Sequence, residues 1–177
     1  MRDARPESRL TVLTGPSGAG KGSVIELVRA RSPWVWISVT ATTRPPRRYE
    51  VDGVDRVFLA RSRFEELIAT GGMLEWTELG GHLYGTPSAP VWARLRDGRP
   101  VLVELDPQGA AQVRAAVPRA RLVRLVPPSA APAADGTRDG DGFDATVVND
   151  RAERAAEELV KLLGSCALAP TRPGVRG

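Results

Sequence analysis

A short β-rich run from Leu10 to Thr14 leads into Gly15-Pro-Ser-Gly-Ala-Gly-Lys-Gly-Ser23, after which Val24, Leu27 and Val28 follow at helical spacing. The predicted order is strand, glycine loop, helix. The spacing of Gly15, Gly20 and Lys21 fits G-x-x-x-x-G-K. In such a loop, here Gly15, Pro16, Ser17, Gly18, Ala19 and Gly20, backbone N–H groups turn around a phosphate, and the helix N-terminus adds the positive end of its dipole. Lys21 suits the place as a compact charge on a flexible stem. It stands out because only it and Lys161 are lysines among 25 basic residues. In the strict motif a Ser or Thr directly follows the lysine to meet Mg²⁺; here Gly22 intervenes and the hydroxyl is on Ser23. The plainer alternative, a glycine turn that only caps a helix, fits the flanking strand and helix less well.

Length and composition bound what surrounds this loop. With 177 residues, 42% hydrophobic and 26% charged, the chain suits one compact domain with a small inserted lobe and has enough apolar residues for a real core. The 18 glycines and 15 prolines lack a repeat, which excludes collagen and predicts several tight turns. No stretch approaches a membrane span, and the opening MRDARPESRL lacks a signal peptide's apolar run, so the expected location is the cytoplasm. One cysteine, Cys166, and one histidine, His82, leave no Cys/His metal cluster to build. A net charge of +4 permits an anionic ligand without requiring a nucleic acid.

After the Pro33 break, a second strand is expected over Trp34–Val39, then a loop from Thr40 to Arg48 in which hydroxyls and guanidiniums alternate. Two prolines restrict the backbone near Arg44, Arg47 and Arg48, a setting that can aim planar forks at a phosphate; alone it also fits an ordinary solvated connection. Ser62–Thr70 reads as a short helix and Met73–Leu79 as a strand ending at Gly80-Gly81, with His82 as an exposed turn residue. A helix reaching Asp97 precedes the apolar strand Val101–Asp106. That strand ends in acids, so Glu104 or Asp106 could face Mg²⁺ or an acceptor, or simply occupy a strand-end turn. A helix over Gln108–Ala116, a strand over Ala120–Val126, a strand over Ala145–Asn149 and a helix from Ala152 to Leu163 complete the pattern. Between Pro127 and Phe143 there is no helical spacing, and Asp139 and Asp141 do not complete a calcium loop. A parallel crossover usually contains a helix, so either a plain loop crosses here or the last strand is placed unusually. Cys166 has no basic neighbour to activate it.

These elements predict a doubly wound α/β fold, a parallel sheet built on the P-loop with a small inserted lobe. The divisions are a flexible start over 1–8, a core of 9–39 and 94–163, a lobe over 40–93, and a flexible tail over 164–177. The sequence then resembles the guanylate kinase family. The likeness rests on LTVLTGPSGAGKGSV at Leu10–Val24, SVTATTRPPR at Ser38–Arg47, EVDGVD at Glu50–Asp55, LEWTELGGHLYGTP at Leu74–Pro87, GRPVLVELDPQGAAQV at Gly98–Val113 and VVND at Val147–Asp150.

The resemblance implies transfer of the terminal phosphate of ATP to GMP with Mg²⁺. Lys21 and the loop amides would hold the ATP phosphates, and Ser23 would supply the hydroxyl that Gly22 displaces by one place. Arg44, Arg47 and Tyr84 would grip the acceptor phosphate, while Thr40, Glu75, Thr86 and Asp106 would recognise guanine. Arg56 stands where the family has a second phosphate-binding tyrosine. The stretch 127–143 corresponds to a lid whose arginines serve transfer; here it is short and keeps only Arg138. The expectation is therefore a guanylate kinase, slowed by its lid. Two alternatives stand beside it: a binding module for GMP or a phosphorylated partner without turnover, and a kinase for another small phosphorylated acceptor.

Overall fold

Leu10–Thr14 is buried along its whole length, as a strand covered on both faces must be. The computed structural model describes residues 9–131 and 142–165. In chain order its elements are β1 (Leu10–Thr14), α1 (Lys21–Arg31), β2 (Trp36–Ile37), β3 (Ala41–Thr42), β4 (Val57–Phe58), α2 (Arg61–Ala69), β5 (Met73–Leu79), β6 (His82–Pro87), α3 (Ser88–Arg96), β7 (Val101–Glu104), α4 (Pro107–Ala116), β8 (Arg121–Val126), β9 (Ala145–Val148) and α5 (Ala152–Ser165). Five strands form a parallel sheet in the order β2-β7-β1-β8-β9.

Alternate residues of these strands feed two cores. Leu13, Leu102 and Leu125 pack with Val24 and Val28 of α1 and Leu159 and Leu163 of α5. Leu10, Val12, Val101 and Val103 pack with Val91 and Leu95 of α3 and Val113 of α4. The sheet is thus covered on both sides, and the carboxyl ends of β1 and β7 open where a doubly wound sheet presents its ligand crevice.

The second sheet has the order β4-β3-β6-β5. Its longest pairing is the β5/β6 hairpin, closed by Leu79 opposite His82. The two linking glycines, Gly80 and Gly81, have φ of 60° and 76°, as a tight two-residue hairpin turn requires. Phe64 of α2, fully buried, fills the space beneath with Ala41 and Leu83.

Several sequence expectations need correction. The strand expected over Trp34–Val39 is only the two-residue β2, because this edge strand pairs with β7 at Trp36 and Ile37 before the chain turns into the second sheet. The expected loop over Thr40–Arg48 begins with a short strand, β3, and Tyr84–Pro87 belongs to β6. His82 is the half-buried first residue of β6, not an exposed turn residue. Asp106 ends no strand but caps α4, its Oδ1 accepting from the Gly109 N–H at 2.7 Å. Helix α5 takes in Gly164 and Ser165, which the sequence assigns to the tail.

Strand β9 lies beside β8 in parallel, with Val123 opposite Ala145. The described part of their connection holds a single 3-10 turn, Pro128–Ala130. Its return is fixed by Asp144, whose Oδ2 accepts from the Leu122 N–H at 2.7 Å and pairs with Arg114. The first eight residues, most of the expected lid with Arg138, Asp139 and Asp141, and the tail from Cys166 onward lie outside the described residues.

Candidate active site

The glycine loop is closely approached on two sides, by a backbone carbonyl at Gly15 and by a side-chain amide at Gly20. A Cβ at Gly15 would sit 2.2 Å from the Leu125 carbonyl oxygen on β8. Gly20 caps α1 with φ of 82°, and a Cβ there would meet the Asn149 amide at 2.3 Å. Asn149 Nδ2 donates to the Ala19 carbonyl at 2.7 Å, so the end of β9 fastens the loop from behind. The N-terminus of α1 has no side-chain cap and no acid in its first turn, so its amide end is open to an anion. Lys21 Nζ folds back to donate to the carbonyls of Gly15 (2.9 Å) and Pro16 (3.1 Å), across the mouth of the loop.

Facing this loop is a cleft of about 500 Å³. Gly15, Pro16, Ser17 and Lys21 form one wall, and Thr40, Arg56, Glu75, Tyr84, Glu104 and Asp106 are among the residues that form the rest. Residues drawn from the core and the second sheet, separated widely in the chain, therefore meet across one space. Gly22 lines an adjoining recess of about 230 Å³ with Thr40, Arg56 and Glu104. Of the other expected site residues, Gly18 and Ser23 are exposed, Ala19 and Thr86 are buried, and Arg44 and Arg47 sit on the loop after β3, outside the lining of the cleft.

Glu75 is the most unusual group in this space, being only 6% exposed. It lies opposite Thr86 in the β5/β6 ladder, and the fully buried Thr86 hydroxyl donates to its Oε1 at 2.7 Å. Burial pushes the Glu75 carboxyl above its ordinary 4.5, and the neighbouring negative charge of Asp106 adds to the rise; the Thr86 hydrogen bonds oppose it. Its other oxygen faces α4, where a Cβ on Gly109 would stand 3.0 Å away. The adjoining backbone is pinned too. Gln112 on α4 receives the Trp76 N–H at 3.2 Å and donates to the Trp76 carbonyl at 3.0 Å, so its amide pairs with β5 as another strand would. Neither Gln112 nor Asn149 is marked by sequence pattern alone.

Arg44 is arranged differently. Its guanidinium forks onto Glu50, Nη2 to Oε1 at 2.7 Å and Nη1 to Oε2 at 2.9 Å, and Nη1 also donates to the Pro45 carbonyl at 2.7 Å. The same Glu50 Oε2 accepts the Arg47 backbone N–H at 2.7 Å. Arg44 lies over the Phe58 ring, 5.8 Å from its centroid, and the Tyr84 phenol stands beside it. These hydrogen bonds from Arg44 and Arg47 hold the Glu50 carboxyl down at about 2.

The set of donors suits Mg²⁺. Ser23 and Glu104 offer hard oxygens, and among the described residues no group of three or more His, Cys, Asp and Glu forms a dedicated cage. Mg²⁺ needs none, since it is commonly held by one or two protein oxygens together with substrate phosphates and water.

A glycine loop at a helix N-terminus, a folded-back lysine and an acceptor cleft walled by a second sheet define a nucleotide-binding phosphotransferase of the P-loop class. Comparison with known proteins narrows the class. The family model described as guanylate kinase matches residues 7–162. The guanylate kinase of Synechococcus sp. (strain CC9311) is 46% identical over 153 residues, covering 86% of this chain and 80% of that protein. That of Prochlorococcus marinus (strain MIT 9313) is 41% identical over 189 residues, covering 94% of this chain and all of the relative. The crystal structure of guanylate kinase from Anaplasma phagocytophilum shares the fold, with a TM-score of 0.68 at 23% identity over 88% of this chain and 84% of that one. The chain belongs to the guanylate kinase family, the ATP:GMP phosphotransferases. Among the described residues no helix is long and apolar enough to cross a membrane.

Proposed function

We propose that this chain transfers the terminal phosphate of ATP to GMP in the cytoplasm, with the phosphate loop as donor seat and the second sheet as acceptor seat. The observation that carries this reading is that Glu75, held from behind by the buried Thr86 hydroxyl, lines the same cleft as Lys21. A carboxylate there accepts hydrogen bonds from guanine N1–H and the 2-amino group, which adenine does not offer in that arrangement. Thr40 and Asp106 line the same cleft and complete the base seat. Arg44, Arg47, Arg56 and Tyr84 would surround the acceptor phosphate, with Arg56 supplying a fixed charge.

In the reaction an oxygen of the GMP phosphate attacks the γ-phosphorus of ATP. The new P–O bond forms as the bond to the β–γ bridging oxygen breaks, giving GDP and ADP. Lys21 and the loop amides orient the ATP phosphates, and the arginines hold the attacking group in line; positioning and charge stabilisation provide most of the catalysis. Mg²⁺ bound with ATP would be met by Ser23 and Glu104 and would neutralise charge on the phosphate oxygens. Turnover is slow for the family, because the interval after β8 is short. The sequence feature that favours that is the stretch 127–143, which keeps a single arginine, Arg138. Loss of an arginine acting on the transferred group costs about 10³–10⁵ in rate.

The test is ADP release from ATP and Mg²⁺ with GMP, AMP, CMP and UMP in turn, with Lys21→Ala as the blank. GMP-dependent release, cut by Lys21→Ala on the order of 10³-fold, is expected. No release with any acceptor, while GMP still raises the Tm, would mean that the chain binds GMP without turning it over.

A further inference from the structure

Resting on the reading of the second sheet as the seat of GMP, we propose that Glu50 is a positioning residue for the acceptor phosphate: it fixes the Arg44 guanidinium so that one edge, Nε–H and the second N–H of Nη2, is presented to the phosphate as a ready fork.

The inventory of donors leads there. An arginine has five N–H groups. Three of those on Arg44 are spent, two on the Glu50 carboxylate and one on the Pro45 carbonyl. The two that remain lie parallel along one side of the planar group, with the spacing of two oxygens of a phosphate, and the Tyr84 phenol that stands beside the guanidinium would share that phosphate with them. The spent donors leave the guanidinium little freedom to rotate, and the Phe58 ring beneath it restricts tilting. Glu50 also gathers the second arginine, because Oε2 takes the Arg47 N–H while the Glu50 N–H closes a turn onto the Arg47 carbonyl at 3.0 Å. One carboxylate thereby sets the place of both arginines on an otherwise exposed, proline-bounded loop. Its side chain and that of Arg44 are 19% and 16% exposed, so the pair is sheltered compared with the surface ion pairs elsewhere in the chain.

This arrangement has a cost that makes the inference testable. Glu50 cancels the charge of Arg44, so by long-range attraction alone it weakens the hold on a phosphate dianion. If charge decides, removing Glu50 tightens GMP binding. If geometry decides, removing it frees Arg44 to wander, and the lost orientation must be restored each time GMP binds.

The experiment compares the wild type with Glu50→Ala, Glu50→Gln, Arg44→Ala and the Arg44→Ala/Glu50→Ala double variant. KM for GMP, KM for ATP and inhibition by guanosine, which has the base but no phosphate, are measured for each. Glu50→Ala is expected to raise the KM for GMP about tenfold or more while leaving the KM for ATP and guanosine inhibition within about twofold. Glu50→Gln, which keeps the shape and an acceptor, should recover part of the loss. The double variant should lose less than the sum of the two single losses, any loss beyond Arg44→Ala being the share that Glu50 exerts through Arg47. An unchanged or lower KM for GMP, an equal loss of guanosine affinity, or additive losses in the double variant would overturn the proposal. If GMP binds without turnover, its Kd replaces KM in the same comparison; a wild type that neither uses GMP nor is stabilised by it would instead defeat the reading of the lobe, and this proposal with it.

Discussion

Two carboxylates of the lobe, Glu75 in the lining of the cleft and Glu50 on the loop after β3, are pushed in opposite directions by their surroundings. Glu75 is buried between two strands and a core helix, holds one hydroxyl donor, and has its proton affinity raised by burial and by Asp106. Glu50 stands on an open loop, accepts from two arginines, and is lowered to about 2. In the proposed function the contrast separates two tasks. Selecting a base demands a dry site where a missing donor leaves an unmet buried acceptor, whereas gripping a phosphate demands charge in a defined direction on a loop that can adapt.

The largest expected effect comes from emptying the dry end. Glu75→Ala should lower kcat/KM for GMP about 10²-fold or more with little change for AMP, since the loss is of hydrogen bonds to a charged acceptor. Steady-state kinetics with both nucleotides check it, and equal losses would dissolve the distinction between the two ends. Arg44→Lys should lower kcat/KM by about tenfold to 10²-fold for both nucleotides alike, because a point charge cannot reproduce the fork. Acidification sharpens the contrast further. As pH falls toward 4.5, Glu75 takes up its proton first and guanosine inhibition should weaken, while the Arg44–Glu50 pair persists until the pH approaches 2. Guanosine avoids the titration of the GMP phosphate itself, near about 6. Arg56→Tyr should change the KM for GMP by less than about tenfold and reduce its dependence on salt, as expected on removing one cation from a partly screened cluster.

The smallest effect is on stability. The raised proton affinity of Glu75 means that its favourable contribution is complete below 4.5 and is lost as pH rises through its folded value. Above that value it is a buried charge held at a cost. Glu75→Gln should raise the Tm by a few degrees at pH 7, an advantage that shrinks on acidification; about 1 kcal/mol moves the Tm of a chain this size by roughly 2–4 °C. A Tm that falls at every pH would show that Glu75 is structural and not a sacrifice to recognition.

What the sequence discloses follows the range of the interactions. The phosphate loop is legible because its strand, glycines, lysine and helix are contiguous, and the Cβ clashes at Gly15 and Gly20 give the reason for the spacing. The core strands are legible through their apolar runs. By contrast, β2, β3 and β4 have two residues each, too few for any periodicity. Glu75 and Thr86 come from likeness to a family, since nothing local tells that an 11-residue separation will close into one ladder rung. Gln112 with Trp76, and Asn149 with Ala19, are separated by 36 and 130 residues and only the folded chain brings them together. Glu50 stands within EVDGVD, yet its hold on Arg44 depends on how the loop turns after Pro46, which composition does not specify.

The division of labour is tested most directly by the ratio of kcat/KM for GMP to that for AMP, measured in the wild type, Glu75→Gln and Arg44→Lys under one set of conditions. The expected result is a ratio of about 10² or more in the wild type, a collapse toward unity in Glu75→Gln, and an unchanged ratio with both values lowered in Arg44→Lys. Equal movement of the ratio in both variants, or a wild-type ratio near unity, would contradict it.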